Sequence, residues 1–395
     1  MSRLKVCIVG LKCYDHIAGA SVPRYLGGIE TQLVVLAKGL STEGADVSLI
    51  TYDHGQKDRQ SFEGITELKS HPPGGGVPGL RWVSRSRRLW RAMRHADAAI
   101  YLQMGAGTET GQVALGSRRA GGSNRRFVFC MASDANFGPH LSAGRLGWEG
   151  KVYRYGLRHA HLIVAQTLRQ QEGLQSAMRL PSQVIPMAAR CPLEGHPQGT
   201  ESPAGAGRVL WIGRIIPGKR FEWLLETARR CPEVAFDVVG SPNRDSAYAR
   251  DLLDLAAGVP NVKVHGRLAA SDLIRVYREA RVVCCTSTLE GFPTTFIEAW
   301  SCGIPVVTTF DPDATVARHG LGRVAATVDE LAGHLRTLMG DDAIRSAASA
   351  ASRAYYLNHH TVQAVSRRFL AAFERLLASG PQDGGFKSRN GHAWS

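Results

Sequence analysis

Short apolar runs recur along the chain, and stretches with helical spacing separate them. In the first half the runs are LKVCIVG (4–10), DVSLIT (46–51), DAAIYLQ (97–103), RFVFCMA (126–132), HLIVAQ (161–166) and QVIPM (183–187). They are rich in β-branched residues and continuously apolar, as strands covered on both faces are. Helical patterns such as IETQLVVLAKGL (29–40) and EGKVYRYGLRHA (149–160) lie between them. The second half repeats the scheme with RVLWIG (208–213), VAFDVVG (234–240), NVKVHG (261–266), ARVVCCTS (280–287) and IPVVTT (304–309). Strand–helix alternation on this scale predicts right-handed βαβ units and parallel sheets. The fold class is therefore α/β, with two facing Rossmann-like domains. Ligands of such sheets bind beyond the carboxyl ends of the strands, which puts the expected site in the cleft between the domains.

Length agrees with two domains, at roughly 100–200 residues each for a chain of 395. The segment CPLEGHPQGTESPAGAG (191–207), rich in Pro, Gly and small polar residues, reads as the linker. The expected organisation is a first domain over 1–195, a second over 206–360, a helix over 361–379 returning to the first domain, and a loose tail over 380–395. Hydrophobic residues make up 44% and charged residues 21%, which excludes a disordered chain. Eight Cys without a CxxC pair exclude a disulfide-stapled scaffold, and their apolar surroundings predict buried reduced thiols. No apolar run reaches the ~20 residues of a membrane span. The amino terminus passes straight into a strand pattern without a signal-peptide core, so the expected location is cytoplasmic.

Charge changes the picture more. The net charge is +14, and residues 1–195 hold 25 Lys+Arg against 14 Asp+Glu, whereas 196–395 hold 23 against 20. A bulk excess of this size is open to nucleic acid, an anionic membrane or a phosphorylated ligand. One segment concentrates it: in LRWVSRSRRLWRAMRH (80–95), Arg81, Arg85 and Arg88 share one helical row, as do Arg87, Arg91 and Arg94. Trp82, Leu89, Trp90 and Met93 can gather on another face. Such a helix suits an anionic membrane surface, and it equally suits a sheet-covering helix with a solvated basic face.

Four segments carry candidate chemistry. In GRIIPGKR (213–220), Gly213 allows a tight turn after a strand. Arg214 and Lys219 bracket the loop, with Lys219 expected at the start of the next helix. Together they could neutralise a diphosphate, or they form a solvated basic turn. In EGFPTTFIE (290–298), Glu290 follows a strand and Glu298 lies within the next helix. A carboxylate there can accept both hydroxyls of a sugar diol, and the backbone from Gly291 through Phe292, Pro293, Thr294 and Thr295 would offer amides to phosphate oxygens. The plain alternative is two helix charges, Glu290 favoured by the helix dipole. In YLGGIETQLVVLAKGL (25–40), Gly27 and Gly28 precede an amphipathic helix, where glycine lets backbone approach a ligand or simply loosens the turn. In RFVFCMASDANF (126–137), Ser133 and Asp134 lie just past a strand end, as cleft residues or as a helix cap.

Together and in this order these segments resemble the family-4 glycosyltransferases, retaining enzymes of the B-type glycosyltransferase fold. The residues that carry the resemblance are GGIET, GRIIPGKR and above all LEGFPTTFIEAWSCGIPVVTT (289–309), which is similar to the family's E-x7-E signature. The resemblance implies that Arg214 and Lys219 hold the donor diphosphate, Glu298 the nucleotide ribose and Glu290 the donor sugar hydroxyls. It also implies that backbone at 292–295 wraps the sugar-phosphate, and that Gly27 and Gly28 approach the diphosphate from the other domain. Many members have a His after the strand matched by RFVFCMA. Here Ala132-Ser133-Asp134 stands there, with Ser133 or Asp134 as replacements and His16 and His140 as alternatives.

The implied reaction is a front-face substitution at the anomeric carbon of a nucleoside-diphosphate sugar. Two cations stabilise the leaving group, and no metal or other cofactor is required. The expected acceptor is a hydroxyl of a glycan or lipid-linked glycan, in polysaccharide or glycoconjugate biosynthesis. Two rival readings carry their own signals. A sugar-nucleotide epimerase would place catalytic carboxylates in the first domain. A nucleic-acid binder would explain the charge, but aromatic residues are only 7% and no nucleic-acid motif is present, so no nucleic-acid partner is expected.

Overall fold

The computed structural model describes residues 3–25, 27–75, 80–119, 125–137, 147–194, 207–242 and 246–379. The chain forms two compact units. The first comprises residues up to Ala20, Arg24–Pro186 and the chain from Gln363; the second comprises Met187–Val362 with Ser21–Pro23.

The first unit contains β1 (Lys5–Val9), α1 (Tyr14–Ile17), α2 (Gly28–Thr42), β2 (Asp46–Thr51), β3 (Gln60–Phe62), β4 (Ile65–Lys69), α3 (Arg81–Ala96), β5 (Ile100–Met104), α4 (Thr108–Arg119), β6 (Arg126–Cys130), α5 (Trp148–Arg158), β7 (Leu162–Ala165), α6 (Leu168–Met178) and β8 (Gln183–Val184). Its sheet order is β3-β4-β2-β1-β5-β6-β7-β8, parallel except for the β3–β4 hairpin. Val9, Leu89, Tyr101, Phe127, Phe129 and Tyr153 are in its core. Each of the six runs expected to be strands contains one. The hairpin at 60–69 was not anticipated, because QSF and ITELK alternate polar with apolar residues instead of running apolar.

The second unit contains β9 (Arg208–Ile212), α7 (Phe221–Arg230), β10 (Phe236–Val239), α8 (Ala247–Ala257), β11 (Val262–Gly266), α9 (Ala270–Glu279), β12 (Ala280–Cys285), α10 (Thr294–Ser301), β13 (Val306–Thr308), α11 (Thr315–His319), β14 (Gly322–Val324), α12 (Val328–Gly340) and α13 (Asp342–His359). Its sheet is fully parallel with the order β11-β10-β9-β12-β13-β14. Side chains alternate between the two faces. Val209 and Trp211 enter one core with Leu224, Phe236, Val282 and Leu331, whereas Leu210 and Val283 enter the other with Phe296, Trp300 and Val306. This period of two, buried on both faces, is why these strands read as unbroken apolar runs. Chain order runs outward from β9 to β11 and then restarts beside β9 at β12. The loops leaving β9 and β12 therefore part in opposite directions at a topological switch point, where open α/β sheets bind ligands.

The boundary between the units falls at Pro186, earlier than the composition of 191–207 suggests. The reason is local packing. Met187 and Ala189 are buried in the second unit, Tyr356 donates to the Ala189 carbonyl at 2.9 Å, and a ring nitrogen of His360 lies 2.7 Å from the Met187 carbonyl. The last helix, α14 (Val362–Ala378), belongs to the first unit for nearly all its length. It buries Val365, Phe369, Ala372 and Phe373, and Arg367 pairs with Glu43 at 2.8 Å. Residues 380–395, assigned to the tail, and 195–206, most of the linker, lie outside the described residues.

Candidate functional site

The β9 loop starts where backbone is crowded. Gly213 donates to the Val239 carbonyl at 3.1 Å and Gly240 to the Gly266 carbonyl at 2.8 Å. Gly240 has φ +148, and a Cβ there would lie 1.8 Å from the Gly213 carbonyl oxygen. Only glycine meets both demands. A Cβ on Gly213 would itself lie 3.0 Å from the Trp211 ring. Arg214 comes next, exposed, its carbonyl accepting from the Ile216 amide at 3.0 Å. Ile215 is buried and anchors the loop.

Pro217–Lys219 form a 3₁₀ turn, and Arg220 has left-handed backbone with φ +46. Helix α7 therefore begins at Phe221, and Lys219 stands just before it instead of on its first turn. Arg220 makes this geometry hold. Its Nε donates to the Thr286 carbonyl and its Nη2 to the Thr309 hydroxyl, both at 2.7 Å, while its guanidinium lies 3.9 Å from the centre of the Trp223 ring. Thr286 closes the arrangement, accepting from Trp211 Nε1 at 3.1 Å and donating to the Lys219 carbonyl at 2.6 Å. The two switch-point loops are thus fixed to each other before any ligand arrives.

Lys219 Nζ is ion-paired with Glu290 Oε1 across that point. Both side chains are largely covered, 23% and 17% exposed. An ammonium has three donors, so this pair leaves Lys219 donors for a further acceptor. The loop carrying Glu290 is held by the Thr288 amide on the Gly218 carbonyl at 3.0 Å. Gly291, Phe292 and Pro293 are buried; the Phe292 ring packs against Trp300 and His360. Thr294 and Thr295 form the half-buried first turn of α10, which no side chain caps. An uncapped helix start offers amides to an anion.

Glu298 lies in the second turn of α10, and Tyr277 donates to its Oε2 at 2.8 Å. Burial pushes the Glu298 carboxyl up to about 7, against the lowering effect of the Tyr277 hydrogen bond. Burial, with the Glu298 charge adding, drives the Tyr277 phenol well upward. Glu298 is thus a half-covered acceptor, not the exposed helix charge considered as its alternative. Sequence reasoning missed Tyr277 and Arg220. Arg220 lay inside the basic segment, but its left-handed turn left no sequence mark. Tyr277 reads as one more apolar position of α9.

In the first unit the corresponding loops are more self-contained. Gly27 and Gly28 are at the start of α2, Gly27 half-buried and Gly28 exposed. The preceding loop is clasped by a fork between Arg24 and buried Asp15, at 2.6 and 2.8 Å, which holds the Asp15 carboxyl below the usual range. The Ser133 hydroxyl accepts from the Ala135 amide at 3.1 Å and forms a capping box with Asn136. Asp134 is buried and pairs with Arg169 at 3.2 Å. The capping alternative thus describes Ser133, and Asp134 has a structural cation within its own unit. A ring nitrogen of His16 lies 2.7 Å from the Tyr25 carbonyl; His140 lies outside the described residues.

The basic helix α3 turns Leu89 and Met93 fully inward, and Trp90 donates to the Gln112 carbonyl at 2.7 Å. Its apolar side thus covers the sheet, while Arg87, Arg91 and Arg94 face solvent. Among the described residues no helix is long and apolar enough to cross a membrane.

Comparisons with known proteins agree with this architecture. Residues 26–188 match the sequence model described as Glycosyltransferase Family 4, and 206–341 match that described as Glycosyl transferases group 1. D-inositol 3-phosphate glycosyltransferase of Mycobacterium sp. (strain KMS) is 31% identical over 158 residues, 36% of either chain. The GtfA subunit of the Streptococcus pneumoniae UDP-N-acetylglucosamine–peptide N-acetylglucosaminyltransferase is 27% identical over 39% of this chain and 32% of its own. The matches therefore span about a third of these relatives' length. Among solved structures, sucrose-phosphate synthase from Thermosynechococcus elongatus superposes with a TM-score of 0.76 at 17% identity, over 96% of this chain and 100% of the other. Anabaena Alr3699/HepE in complex with UDP-glucose gives 0.71 at 17% identity, over 94% and 100%. With each of its α/β units matched to one of these two sequence families, the chain belongs to the family-4 glycosyltransferases of the B-type fold.

Proposed function

We propose that the protein is a retaining hexosyltransferase. It would move a sugar from a nucleoside-diphosphate donor to a hydroxyl of a glycan or lipid-linked acceptor in polysaccharide or glycoconjugate biosynthesis. The observation that carries this reading is the Lys219–Glu290 ion pair at the switch point of the second unit, with Arg214 exposed on the same loop. Glu290 holds the ammonium in place in the free protein. When a diphosphate arrives, Lys219 and Arg214 neutralise the charge that grows on the leaving group, a preorganised term of the kind that dominates such reactions. Glu290 is then available to the donor sugar hydroxyls, and Glu298 to the ribose diol. This arrangement assigns to two side chains what a divalent cation does elsewhere, so transfer in the presence of a chelator is part of the proposal.

The relatives support a phosphate-rich context. They include a D-inositol 3-phosphate glycosyltransferase and, in Corynebacterium glutamicum, a GDP-mannose-dependent monoacylated alpha-(1-6)-phosphatidylinositol monomannoside mannosyltransferase. An acceptor of that chemistry suits the basic first half of this chain. The direct test is a thermal-shift screen of nucleoside-diphosphate sugars, UDP-glucose and GDP-mannose first. An acceptor-dependent assay of nucleoside-diphosphate release follows. Stabilisation by one donor and release only with acceptor support the proposal. Donor conversion without acceptor favours an epimerase, and a salt-steep gel shift without donor binding favours a nucleic-acid binder.

A further inference from the structure

Cys191 and Cys302 are 111 residues apart, and their Sγ atoms lie 3.3 Å from each other within the second unit. They are the two half-exposed cysteines; the other six are buried. Independent contacts hold each one in place. Cys191 lies on the 187–194 segment, which Tyr356 and His360 fasten through the Ala189 and Met187 carbonyls. It starts a turn in which the Glu194 amide donates to the Cys191 carbonyl at 3.0 Å. Cys302 closes α10, its amide bonded to the Ala299 carbonyl at 3.0 Å. The neighbouring Ser301 carbonyl accepts from Arg353, and Gly303 follows in left-handed backbone with its carbonyl bonded to Ser349. Two separately anchored strands of chain thus present one sulfur each to the same point.

From this geometry we propose that Cys191 and Cys302 are a reversible dithiol–disulfide site whose co-reactant is a small-molecule disulfide such as glutathione disulfide. The sulfurs need to close from 3.3 Å to about 2.05 Å. Cys191 is the attacking group. The Cys302 hydrogen bond, aided by the Leu193 backbone, Ser301 and the Arg353 charge, holds its thiol down at about 6 despite burial, whereas Cys302 is pushed upward. The Cys191 thiolate attacks one sulfur of glutathione disulfide, forming a mixed disulfide and expelling one glutathione thiolate. Cys302 then loses its proton and attacks the Cys191 sulfur, and the second glutathione leaves. Two protein thiols are oxidised and one glutathione disulfide is reduced to two glutathiones. The product fastens the carboxyl end of α10 to the 187–194 segment.

The test uses the full chain, reduced and then equilibrated in glutathione buffers of rising oxidised fraction, denatured, alkylated and peptide-mapped. The expected result is loss of two of the eight alkylatable thiols, a Cys191–Cys302 linked peptide, a raised Tm, and full reversal by dithiothreitol. In Cys302→Ser the internal link and the Tm rise disappear, and Cys191 retains one glutathione. Eight alkylatable thiols under oxidising buffer, a link to any other cysteine, or a wild-type chain that stops at the glutathione adduct would each overturn the proposal.

Discussion

The Lys219 ammonium reaches Glu290 from a neighbouring loop, so the cation assigned to the donor diphosphate is held by the carboxylate assigned to the donor sugar. The pair joins the loops after β9 and β12, strands that are adjacent in the sheet but 71 residues of chain apart at this contact. Lys219→Ala removes a preorganised charge without touching the Arg220–Thr286 scaffold. Transfer is expected to fall by ~10²–10³, the loss typical when one transition-state donor is deleted. The circular dichroism and Tm should stay close to wild type. Near-normal turnover would remove Lys219 from the diphosphate assignment.

Arg220 predicts the opposite pattern. Its two hydrogen bonds and its stacking on Trp223 are structural, with hydrogen bonds to charged groups contributing about 1.5–3 kcal/mol. Arg220→Ala is expected to lower Tm by several degrees and to weaken donor binding only as a consequence. Arg220→Lys should rescue little of this, because an ammonium lacks the planar fork that reaches Thr286 and Thr309 together. Chemical denaturation checks both variants; an unchanged Tm for Arg220→Ala would show that the loops hold without the clamp.

Glu298 makes a pH-dependent prediction. Its carboxyl stands near 7 in the folded chain against an ordinary 4.5, so the fold holds its proton more tightly than the unfolded chain does. The stabilisation from the neutral form is complete below about 4.5 and is lost as pH rises through 7. The stability difference between wild type and Glu298→Gln should therefore shrink and turn against wild type over that window. Binding of a ribose diol favours the ionised form, so nucleoside-diphosphate affinity should climb as pH passes 7, and the climb should vanish in Glu298→Gln. Tyr277→Phe removes the hydrogen bond that lowers this carboxyl, and its midpoint should move above 7. Isothermal titration of UDP across pH 5.5–8.5 reads the binding changes in all three proteins, and urea midpoints over the same range read the stability difference; a flat wild-type binding profile sinks the ribose assignment.

What the sequence made legible follows its local rules. Runs such as RVLWIG and ARVVCCTS are buried on both faces, so composition alone marked β9 and β12 as strands, and the residues just beyond them as candidate site residues. The hairpin β3–β4 escaped because Glu67, a fully buried acidic residue, breaks the apolar run; its carboxyl oxygen accepts from Thr51 and Gln56, partners that no local pattern announces. Arg220, Tyr277 and the Cys191–Cys302 pair escaped for a related reason. Each acts through a contact made at long sequence separation, and the reading of buried thiols describes six cysteines but not the two that meet across the second unit. Ser133 was legible only as an open choice, since a residue beyond a strand end can cap a turn or face a ligand, and the Ala135 amide decides its hydrogen bond.

The glycines of the β9 region separate steric need from convenience. Gly240 combines φ +148 with a Cβ position 1.8 Å from the Gly213 carbonyl, so Gly240→Ala has to displace the ends of β9 and β10. A cost of several kcal/mol is expected, beyond the ~1 kcal/mol centre for single substitutions. Gly218 has open space around it and no positive φ. Gly218→Ala should keep the Tm within about a degree or raise it slightly by restricting the unfolded chain. Urea midpoints of the two variants compare them directly; equal midpoints would mean that the crowded strand end relaxes easily.

The basic face of α3 gives the last prediction. Leu89 and Met93 are fully buried, so the apolar side of this helix is spent on the first unit's own core and not on a lipid surface. With Arg81 and Arg88 also exposed, membrane affinity then has to draw on the row of Arg87, Arg91 and Arg94, and on exposed Leu80, Val83 and Trp148 as apolar contacts. Near an anionic surface each Arg contributes about 1 kcal/mol, so reversing all three should weaken binding at least a hundredfold. The same exposed positions carry little fold energy, about 0.5 kcal/mol or less each, so the triple Glu variant should unfold at nearly the wild-type temperature. Co-sedimentation with phosphatidylserine vesicles at low and physiological salt measures this. Wild type should sediment, release as salt rises, and lose binding in the triple variant. If wild type stays in the supernatant at low salt, α3 is a sheet-covering helix with a solvated face, and the charge of the first half serves a soluble phosphorylated acceptor.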